Sequence, residues 1–351
     1  MTENTNLHYP VAVDLFCGAG GLSYGLWKAG VKVAYGVDLD AKCRHALETN
    51  SSAKFYHEDV AKLSCETVAS MYGNAKVRLL AGCAPCQPFS TYSQSRKSSD
   101  DRWNLLLHFQ RIVEGVRPEL VTMENVSGLS KREVWRDFVR SLNDLGYSVS
   151  WRIVDCTRFG IPQTRKRLVL VASLLGKISF SDPDEPEIVT VRDAIGSLPK
   201  IAAGQKCDKD RLHTSSVLSE KNLDRIRASV PGGTWRDWPS ELRADCHKRT
   251  SGKSYPSVYG RMEWDQPAPT MTTQCYGFGN GRFGHPEQDR AISLREAAII
   301  QSFPRSYEFW SDDQEFSLKH VGTLIGNAVP PKLGEAIGNC MIEHATRHVE
   351  T

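Results

Sequence analysis

The stretch VAVDLFCGAGGLSYG, residues 11–25, decides the expected fold of this 351-residue chain. It begins with an apolar run, Val11–Leu15, that predicts a buried strand, and continues into a turn with Gly18, Gly20 and Gly21. Glycines at such a turn allow tight backbone geometry and let the chain approach a ligand closely. The stretch therefore predicts the first strand and helix of an α/β sheet, with a ligand site at the turn between them.

Further apolar runs alternate with amphipathic helical patterns as far as residue 173. We predict additional strands at Val31–Val37, Val77–Ala81, Leu120–Glu124 and Arg167–Ala172. Near-continuous apolar strands that alternate with helices indicate a parallel, Rossmann-like doubly wound α/β sheet.

The rhythm ends near Ser181. Residues 181–290 are rich in Pro, Gly, Trp and charge, and helical patterning returns at 293–303 and 332–349. We expect a first domain at 1–180, a smaller irregular domain at 181–290, and C-terminal helices at 291–351 that return to the first domain.

Composition indicates an ordinary globular protein, with 40% hydrophobic and 24% charged residues. No apolar run is long enough for a membrane span, and the polar start lacks the blocks of a signal peptide, so we expect a cytoplasmic protein. Its ten cysteines should then be reduced. Only Cys83 and Cys86 lie close together, and without a second pair we expect no structural zinc.

The net charge of +3 indicates little about the partner of the protein, but the charged residues are unevenly distributed. From Lys200 to Asp265 there are 13 Lys and Arg against 9 Asp and Glu. A basic segment is expected of a surface that meets phosphates, although a solvated, loop-rich face would have the same composition.

Asp38 follows the second predicted strand, where an acidic side chain can accept hydrogen bonds from ribose hydroxyls. An adenosine-containing cofactor fits this arrangement. Ser23 stands where the third glycine of a dinucleotide-binding motif should be, and no phosphate-binding P-loop follows. These residues alone leave open the choice between a nicotinamide cofactor and S-adenosylmethionine.

Four further motifs follow the glycine loop: APCQPFS (84–90), MENV (123–126), PQTRKR (162–167) and GNAVPP (326–331). Together with DLFCGAGG they resemble the DNA cytosine carbon-5 methyltransferase family, from Val11 to the C-terminal helix apart from the middle segment. The resemblance implies a methyltransferase sheet and a target-recognition domain at 181–290. It implies methyl transfer from S-adenosylmethionine to carbon-5 of a flipped-out cytosine in a specific duplex DNA sequence.

By this resemblance the catalytic residues are Cys86, Glu124, Arg165, Arg167, Asn125 and Gln163. Cys86 would be the nucleophile that adds to carbon-6 of the ring. Glu124 would contact ring nitrogen N3 and the exocyclic amine, and must be protonated to donate there. Arg167 would hold the base carbonyl, Arg165 would lie near the thiolate, and Asn125 and Gln163 would brace these groups.

The resemblance also implies a cofactor site on residues that follow the strand ends. These residues are Phe16, Cys17, Gly18, Ala19, Gly20, Gly21, Asp38, Leu39, Asp59, Val60, Pro85, Leu105, Asn327 and Ala328. Phe16 would lie against the adenine and Asp38 would bind the ribose. Leu39 departs from the family, which often has an aromatic residue there.

Carbon-6 is stacked inside duplex DNA, so the base must be flipped out. The polar stretch 90–103 is expected to form a loop that closes on the DNA backbone, and the middle segment is expected to read the sequence. The candidate DNA-binding residues are Ser90, Arg96, Lys97, Arg261, Thr272, Thr273, Gln274 and Arg282. Arg and Gln are the usual partners of guanine and adenine in the major groove.

Three alternative functions remain: a tRNA cytosine-5 methyltransferase, a catalytically silent DNA-binding relative and a nicotinamide oxidoreductase. The Cys-Phe-Thr signature typical of the RNA-modifying branch is absent, which favours DNA. We expect double-stranded DNA as the partner of a monomeric, nucleoid-associated protein without metal. The sequence leaves open whether a restriction endonuclease or another defence system accompanies it or whether it acts alone.

Overall fold

The structure, a computed structural model, describes residues 9–85, 105–249 and 255–349. Its strands in chain order are β1 Val11–Leu15, β2 Lys32–Asp38, β3 Lys54–His57, β4 Arg78–Gly82, β5 Leu120–Val126, β6 Ser148–Asp155, β7 Gln163–Thr164, β8 Lys166–Ser173, β9 Lys206–Cys207, β10 Asp210–Thr214 and β11 Ala268–Pro269.

The helices alternate with the strands in the first half of the chain and follow one another at its end. They are α1 Gly21–Ala29, α2 Cys43–Asn50, α3 Cys65–Met71, α4 Leu105–Val116, α5 Glu133–Asp144, α6 Val191–Ile195, α7 Glu220–Arg227, α8 Asp245–Lys248, α9 Leu294–Ile300, α10 Leu318–Asn327 and α11 Pro331–Val349. Within the described ranges, none of them has the length and apolar character needed to cross a membrane.

The central sheet has the strand order β3-β2-β1-β4-β5-β8-β6. Strands β1 to β5 run parallel, as the alternation of apolar runs and helices predicts. Strand β8 pairs antiparallel with both β5 and β6, so an antiparallel pair completes one side of the sheet. The expected doubly wound α/β fold is confirmed.

Two of these strands were not expected from the sequence. Strand β3 has four residues, of which only Phe55 is buried, so its apolar signal is short. Strand β6 lies at the edge of the sheet and leaves Trp151 and Ile153 exposed, which breaks the buried pattern that identified the other strands.

Both faces of the sheet are covered. Ala12 and Val13 are adjacent in β1 and fully buried, yet they belong to two different apolar clusters. Successive side chains of a strand point to opposite faces, so each cluster fills the space between the sheet and one layer of helices. This explains why the strands are nearly continuously apolar.

Helix α11 packs against α1, which follows the glycine turn. The contact is close because it is made at glycines: a Cβ on Gly25 would lie 2.3 Å from the carbonyl oxygen of Pro331 and 2.5 Å from the Glu335 nitrogen. A Cβ on Gly338 would lie 2.6 Å from the Cβ of Ala29. The two helices therefore approach backbone to backbone.

The middle segment only partly forms a core of its own. Val191 and Leu212 belong to a cluster that also contains sheet residues, and β11 pairs with β7. A separate small cluster contains Ile226, Trp235, Trp238, Phe278 and Ala291. The limits 181–290 remain a prediction.

Replacement of Gly25 by alanine should destabilise the protein. The added methyl group would overlap backbone atoms of α11, which cannot rotate away as a side chain would. We expect the free energy of unfolding to fall by about 1–3 kcal/mol, measured by urea denaturation.

Gly128→Ala is the matched control, since a Cβ there meets nothing within 4 Å. Equal stability of the two variants would contradict the close packing of α1 on α11.

Candidate active site

The candidate site lies at the carboxyl edge of the sheet, where the strand order reverses. The chain winds outward from β1 through β2 to β3 and then returns to β4 on the other side of β1. The register sets Leu15 beside Gly82, and Gly82 beside Met123. Residues that follow β1 and β4 therefore flank a crevice, which in open α/β sheets is the usual place for a ligand.

Glu124 lies near the end of β5 and is only 2% exposed. Its Oε2 accepts a hydrogen bond from the Cys83 thiol at 2.9 Å. Its Oε1 is 2.9 Å from Nε of Arg167, but the angles do not make this ion pair a hydrogen bond, and Oε1 has no hydrogen-bond partner. The buried carboxyl is thus held on one oxygen and has bonding capacity on the other.

The two arginines of the PQTRKR motif lie close together but are held differently. Arg167, in β8, sits across from Val126 of β5 and pairs with Glu124. Arg165 is 3% exposed and donates from its terminal nitrogens to the carbonyl oxygens of Met271 at 2.9 Å and Ala328 at 3.4 Å.

The Nε of Arg165 is buried and has no hydrogen-bond partner. Burial, aided by the positive charge of Arg167, lowers the pKa of Arg165 to about 9. A buried cation with an unsatisfied donor beside Glu124 is suited to an electron-rich ligand.

Asn125 and Gln163 support the cluster that Glu124, Arg165 and Arg167 form. Asn125 donates to the Ala84 carbonyl at 3.0 Å and so ties β5 to the segment that precedes Cys86. Gln163 is fully buried, donates to the Gln301 side chain and accepts from the Met271 backbone at 2.9 Å. These bonds connect the sheet, the middle segment and the C-terminal helices at one point.

Cys86 itself lies outside the described residues. The structure follows the chain as far as Pro85, which is exposed at the same edge of the sheet. None of the described cysteines forms a disulfide, and Cys83 contacts Glu124 through its sulfur. No group of metal-binding side chains occurs among the residues that the structure describes.

The glycine turn leaves open space beside its backbone. Gly18 has a φ of +52°, and a Cβ there would meet nothing within 4 Å, while its N–H donates to Asp38 at 2.9 Å. Phe16 precedes it with a φ of +61°, a conformation that a non-glycine residue seldom adopts. A Cβ on Gly21 would lie 2.2 Å from the Val329 carbonyl, so the last motif contacts the first.

Asp14 and Ser23 form a buried pair beneath this turn that the sequence reasoning missed. The Ser23 hydroxyl donates to Oδ2 of Asp14 at 2.6 Å, whereas Oδ1 is buried without a hydrogen-bond partner. Burial raises the pKa of Asp14 to about 7, and burial also raises the pKa of Asp38. An acidic residue in the otherwise apolar strand VAVDL was the signal for this pair.

Tyr307 also supports the turn and was not anticipated. Its hydroxyl donates to the Ala19 carbonyl at 2.5 Å, and its ring is fully buried. No local pattern connects residues that lie so far apart in the chain.

The other candidate cofactor residues differ in their exposure. Val60 is buried in the core, Asp59 accepts from the Ala61 backbone, and Leu105 begins α4 half-buried. Cys17 and Ala19 have buried side chains, which leaves their backbone for contact. Leu39 is 66% exposed, and Asn327 is exposed beside buried Ala328.

The candidate DNA-binding residues fall into three groups. Ser90, Arg96 and Lys97 lie outside the described residues. Thr272, Thr273 and Gln274 follow Met271, whose carbonyl holds Arg165, and both Thr272 and Gln274 are exposed.

Arg261 and Arg282 are engaged within the protein. Arg261 is 5% exposed and donates to the carbonyls of Ile226, Ser229, His285 and Gln288. A guanidinium satisfied in this way joins the loops of the middle segment, and its position does not favour the expected base contact. Half-buried Arg282 donates to the Gly233 carbonyl at 2.7 Å.

Comparison with solved structures supports this fold. The structure resembles that of a DNA modification methyltransferase encoded within an E. coli prophage, with a TM-score of 0.73 over 95% of this chain and 99% of that one, at 24% identity. It also resembles the S. pombe Dnmt2 methyltransferase, with a TM-score of 0.63, 17% identity and coverage of 95% and 98%.

Sequence comparisons reach the activity. The chain is 49% identical over 330 residues to the Type II methylase M.HgiDII of Herpetosiphon aurantiacus. The aligned residues cover 93% of each protein. It is 32% identical to the Type II methyltransferase M1.BsuMI of Bacillus subtilis, over 95% of this chain and 79% of that one. Residues 11–343 match the C-5 cytosine-specific DNA methylase model, and the chain therefore belongs to the family of DNA (cytosine-5)-methyltransferases.

Proposed function

We propose that this enzyme transfers a methyl group from S-adenosylmethionine to carbon-5 of a cytosine flipped out of a specific duplex DNA sequence. The observation that carries the proposal is the buried Glu124, paired with Arg167 at the sheet edge and directly beside the segment that leads to Cys86. Such a site can hydrogen-bond to the polar edge of a neutral pyrimidine ring while a nucleophile approaches the face of that ring.

Cys86 starts the reaction, because carbon-5 of cytosine is a weak nucleophile. Its thiolate forms a bond to carbon-6, which moves an electron pair toward carbon-5 and makes that atom reactive. After methylation, loss of the carbon-5 proton and release of the thiolate restore the aromatic ring. Asn125, bonded to the Ala84 carbonyl, supports the backbone that carries this cysteine.

Glu124 would neutralise the negative charge that develops on the ring. In its protonated form it donates to N3 as the thiolate adds, and Oε1 is the oxygen that still lacks a hydrogen-bond partner. Arg167 contacts the same carboxyl and would hold the base carbonyl. Arg165, with its buried free Nε, adds positive charge near the incoming thiolate.

The residues at the glycine turn fit S-adenosylmethionine, which supplies an electrophilic methyl group when bound. A Cβ on Gly18 would meet nothing within 4 Å, so a ligand can approach the backbone there. Phe16 would lie against the adenine, and Asp38, which accepts from the Gly18 N–H, would bind the ribose. Asp14 and Asp38 both have pKa values raised by burial, so a cation beside them is favourable. S-adenosylmethionine is a cationic ligand of that kind.

The middle segment would provide recognition of double-stranded DNA. Thr272, Thr273 and Gln274 are next to the Arg165 cluster, so a duplex contacted there would have its target base near Glu124. Since M.HgiDII is named a Type II methylase, we propose that this enzyme modifies DNA within a restriction–modification system.

Cys86→Ala should abolish methyl transfer. We expect no incorporation of labelled methyl groups into duplex DNA, because the variant lacks the thiol that forms the bond to carbon-6. Cys340→Ala is the control and should retain wild-type activity, since it removes a thiol on α11 that donates a hydrogen bond to the Ser179 carbonyl. Full activity of the Cys86 variant would refute the mechanism, whereas an inactive wild-type enzyme on all duplex substrates would refute the proposed function.

Glu124→Gln should preserve the shape of the pocket but remove the proton that reaches N3. We expect kcat to fall on the order of 100-fold, with a small change in the affinity for DNA. Glu114→Gln, at an exposed position of α4, is the matched control. Equal rates for the two variants, measured with the same duplex, would exclude the proton-donor role.

Asp14→Asn should remove a pH dependence of stability. The unfolded chain loses the Asp14 proton near its ordinary pKa of 3.8, but the folded protein keeps it until about 7. The folded state is therefore destabilised as the pH rises between these values, by up to about 4 kcal/mol. The thermal midpoint of the variant should rise relative to wild type from pH 5 to pH 8.

The same substitution should change cofactor binding. Wild-type affinity for S-adenosylmethionine, measured by calorimetry, should increase as Asp14 ionises, and the variant should lose that increase. Asp208→Asn, at an exposed position, is the control. Identical pH profiles of wild type and Asp14→Asn would contradict the buried, ionisable site.

A further inference from the structure

Cys83 contacts the carboxyl group on which the proposed reaction depends. It follows Gly82, the last residue of β4, and the register sets Gly82 beside Met123 in β5. Cys83 is therefore the neighbour of Glu124 on the adjacent strand. Its sulfur lies 2.9 Å from Oε2 of Glu124.

The direction of this hydrogen bond follows from chemistry. In the protonated form that donates to the ring from Oε1, Oε2 is the carbonyl oxygen and can only accept, so the thiol is the donor. Glu124 is 2% exposed, which leaves little access for water to take the place of the thiol. The Cys83 contact and the Arg167 contact are made to different oxygens, and together they fix the rotation of the carboxyl plane.

We propose that Cys83 is a positioning residue, whose thiol holds Oε2 of Glu124 so that Oε1 is presented to the cytosine ring. This inference rests on the proposed function of Glu124. It also assigns different roles to the two cysteines of the CAPC stretch: Cys86 forms the bond to carbon-6, and Cys83 orients the acid.

Two substitutions distinguish the effect of the hydrogen-bond donor of Cys83 from the effect of its side-chain volume. Cys83→Ala removes the S–H and leaves a small apolar group in a partly buried position. Cys83→Ser keeps a donor of similar size. If only packing mattered, serine would be tolerated no better than alanine, because a hydroxyl is more costly to bury.

We expect Cys83→Ala to lower kcat on the order of tenfold, with the KM for DNA changed less than about twofold. Cys83→Ser should restore the rate, because the serine hydroxyl can donate to the same carboxyl oxygen.

Cys340→Ala is the matched control, because it also removes a thiol that donates to an oxygen, but far from Glu124 in the sequence and on another element. A second measurement needs no activity. The effects of Cys83→Ala and Glu124→Gln on the free energy of unfolding should be non-additive, since the two side chains share one contact.

A wild-type rate in Cys83→Ala would overturn the inference. So would equal losses of kcat in the alanine and serine variants, which is the result expected of packing alone. Failure of the proposed function is distinguishable, because the wild-type enzyme would then transfer no methyl group to duplex DNA. The unfolding measurement would still report whether Cys83 and Glu124 interact.

Discussion

A buried carboxyl group constrains the whole active site. Removing Glu124 from water is unfavourable unless its oxygens find partners, and the protein supplies them from two neighbouring strands, through Cys83 after β4 and Arg167 in β8. Because β8 runs antiparallel to β5, its first residues, which include Arg167, lie beside the end of β5 that carries Glu124. The departure from an all-parallel sheet thus places a cation beside the acid.

The same requirement connects distant parts of the chain. Arg165 and Gln163 are buried, and the groups that satisfy them are the backbone of Met271, the carbonyl of Ala328 and the side chain of Gln301. Buried polar networks are stable only when their members are satisfied together. The middle segment and the C-terminal helices therefore complete the pocket rather than merely cover it.

The sequence predicted the frame of this site well. The β1 range was predicted without error and α11 to within a residue, because their apolar patterns are strong and glycine or proline marks their boundaries. The MENV and PQTRKR motifs also predicted that Glu124, Arg165 and Arg167 belong to one site. The structure brings these three residues together, and their catalytic roles remain proposals.

Other features depend on pairings that no local pattern encodes. The Asp14–Ser23 pair and the Tyr307 contact with Ala19 join residues that only the folded chain brings together. No sequence pattern indicated a role for Cys83, and its contact with Glu124 follows from the register of two strands. Arg261 was a candidate DNA contact, but its buried guanidinium donates to backbone carbonyls within the protein.

The packing of α11 on α1 also has a consequence for biosynthesis. The helix that follows the glycine turn is made early, whereas residues 331–349, on which its glycine face rests, are made some 300 residues later. During translation, at about 5–20 residues per second, the glycine turn and α1 are made well before α11, the helix that packs against them. The nascent chain should therefore acquire its cofactor-binding shape only near the end of synthesis, so a partly made methyltransferase would have no modifying activity on the host DNA.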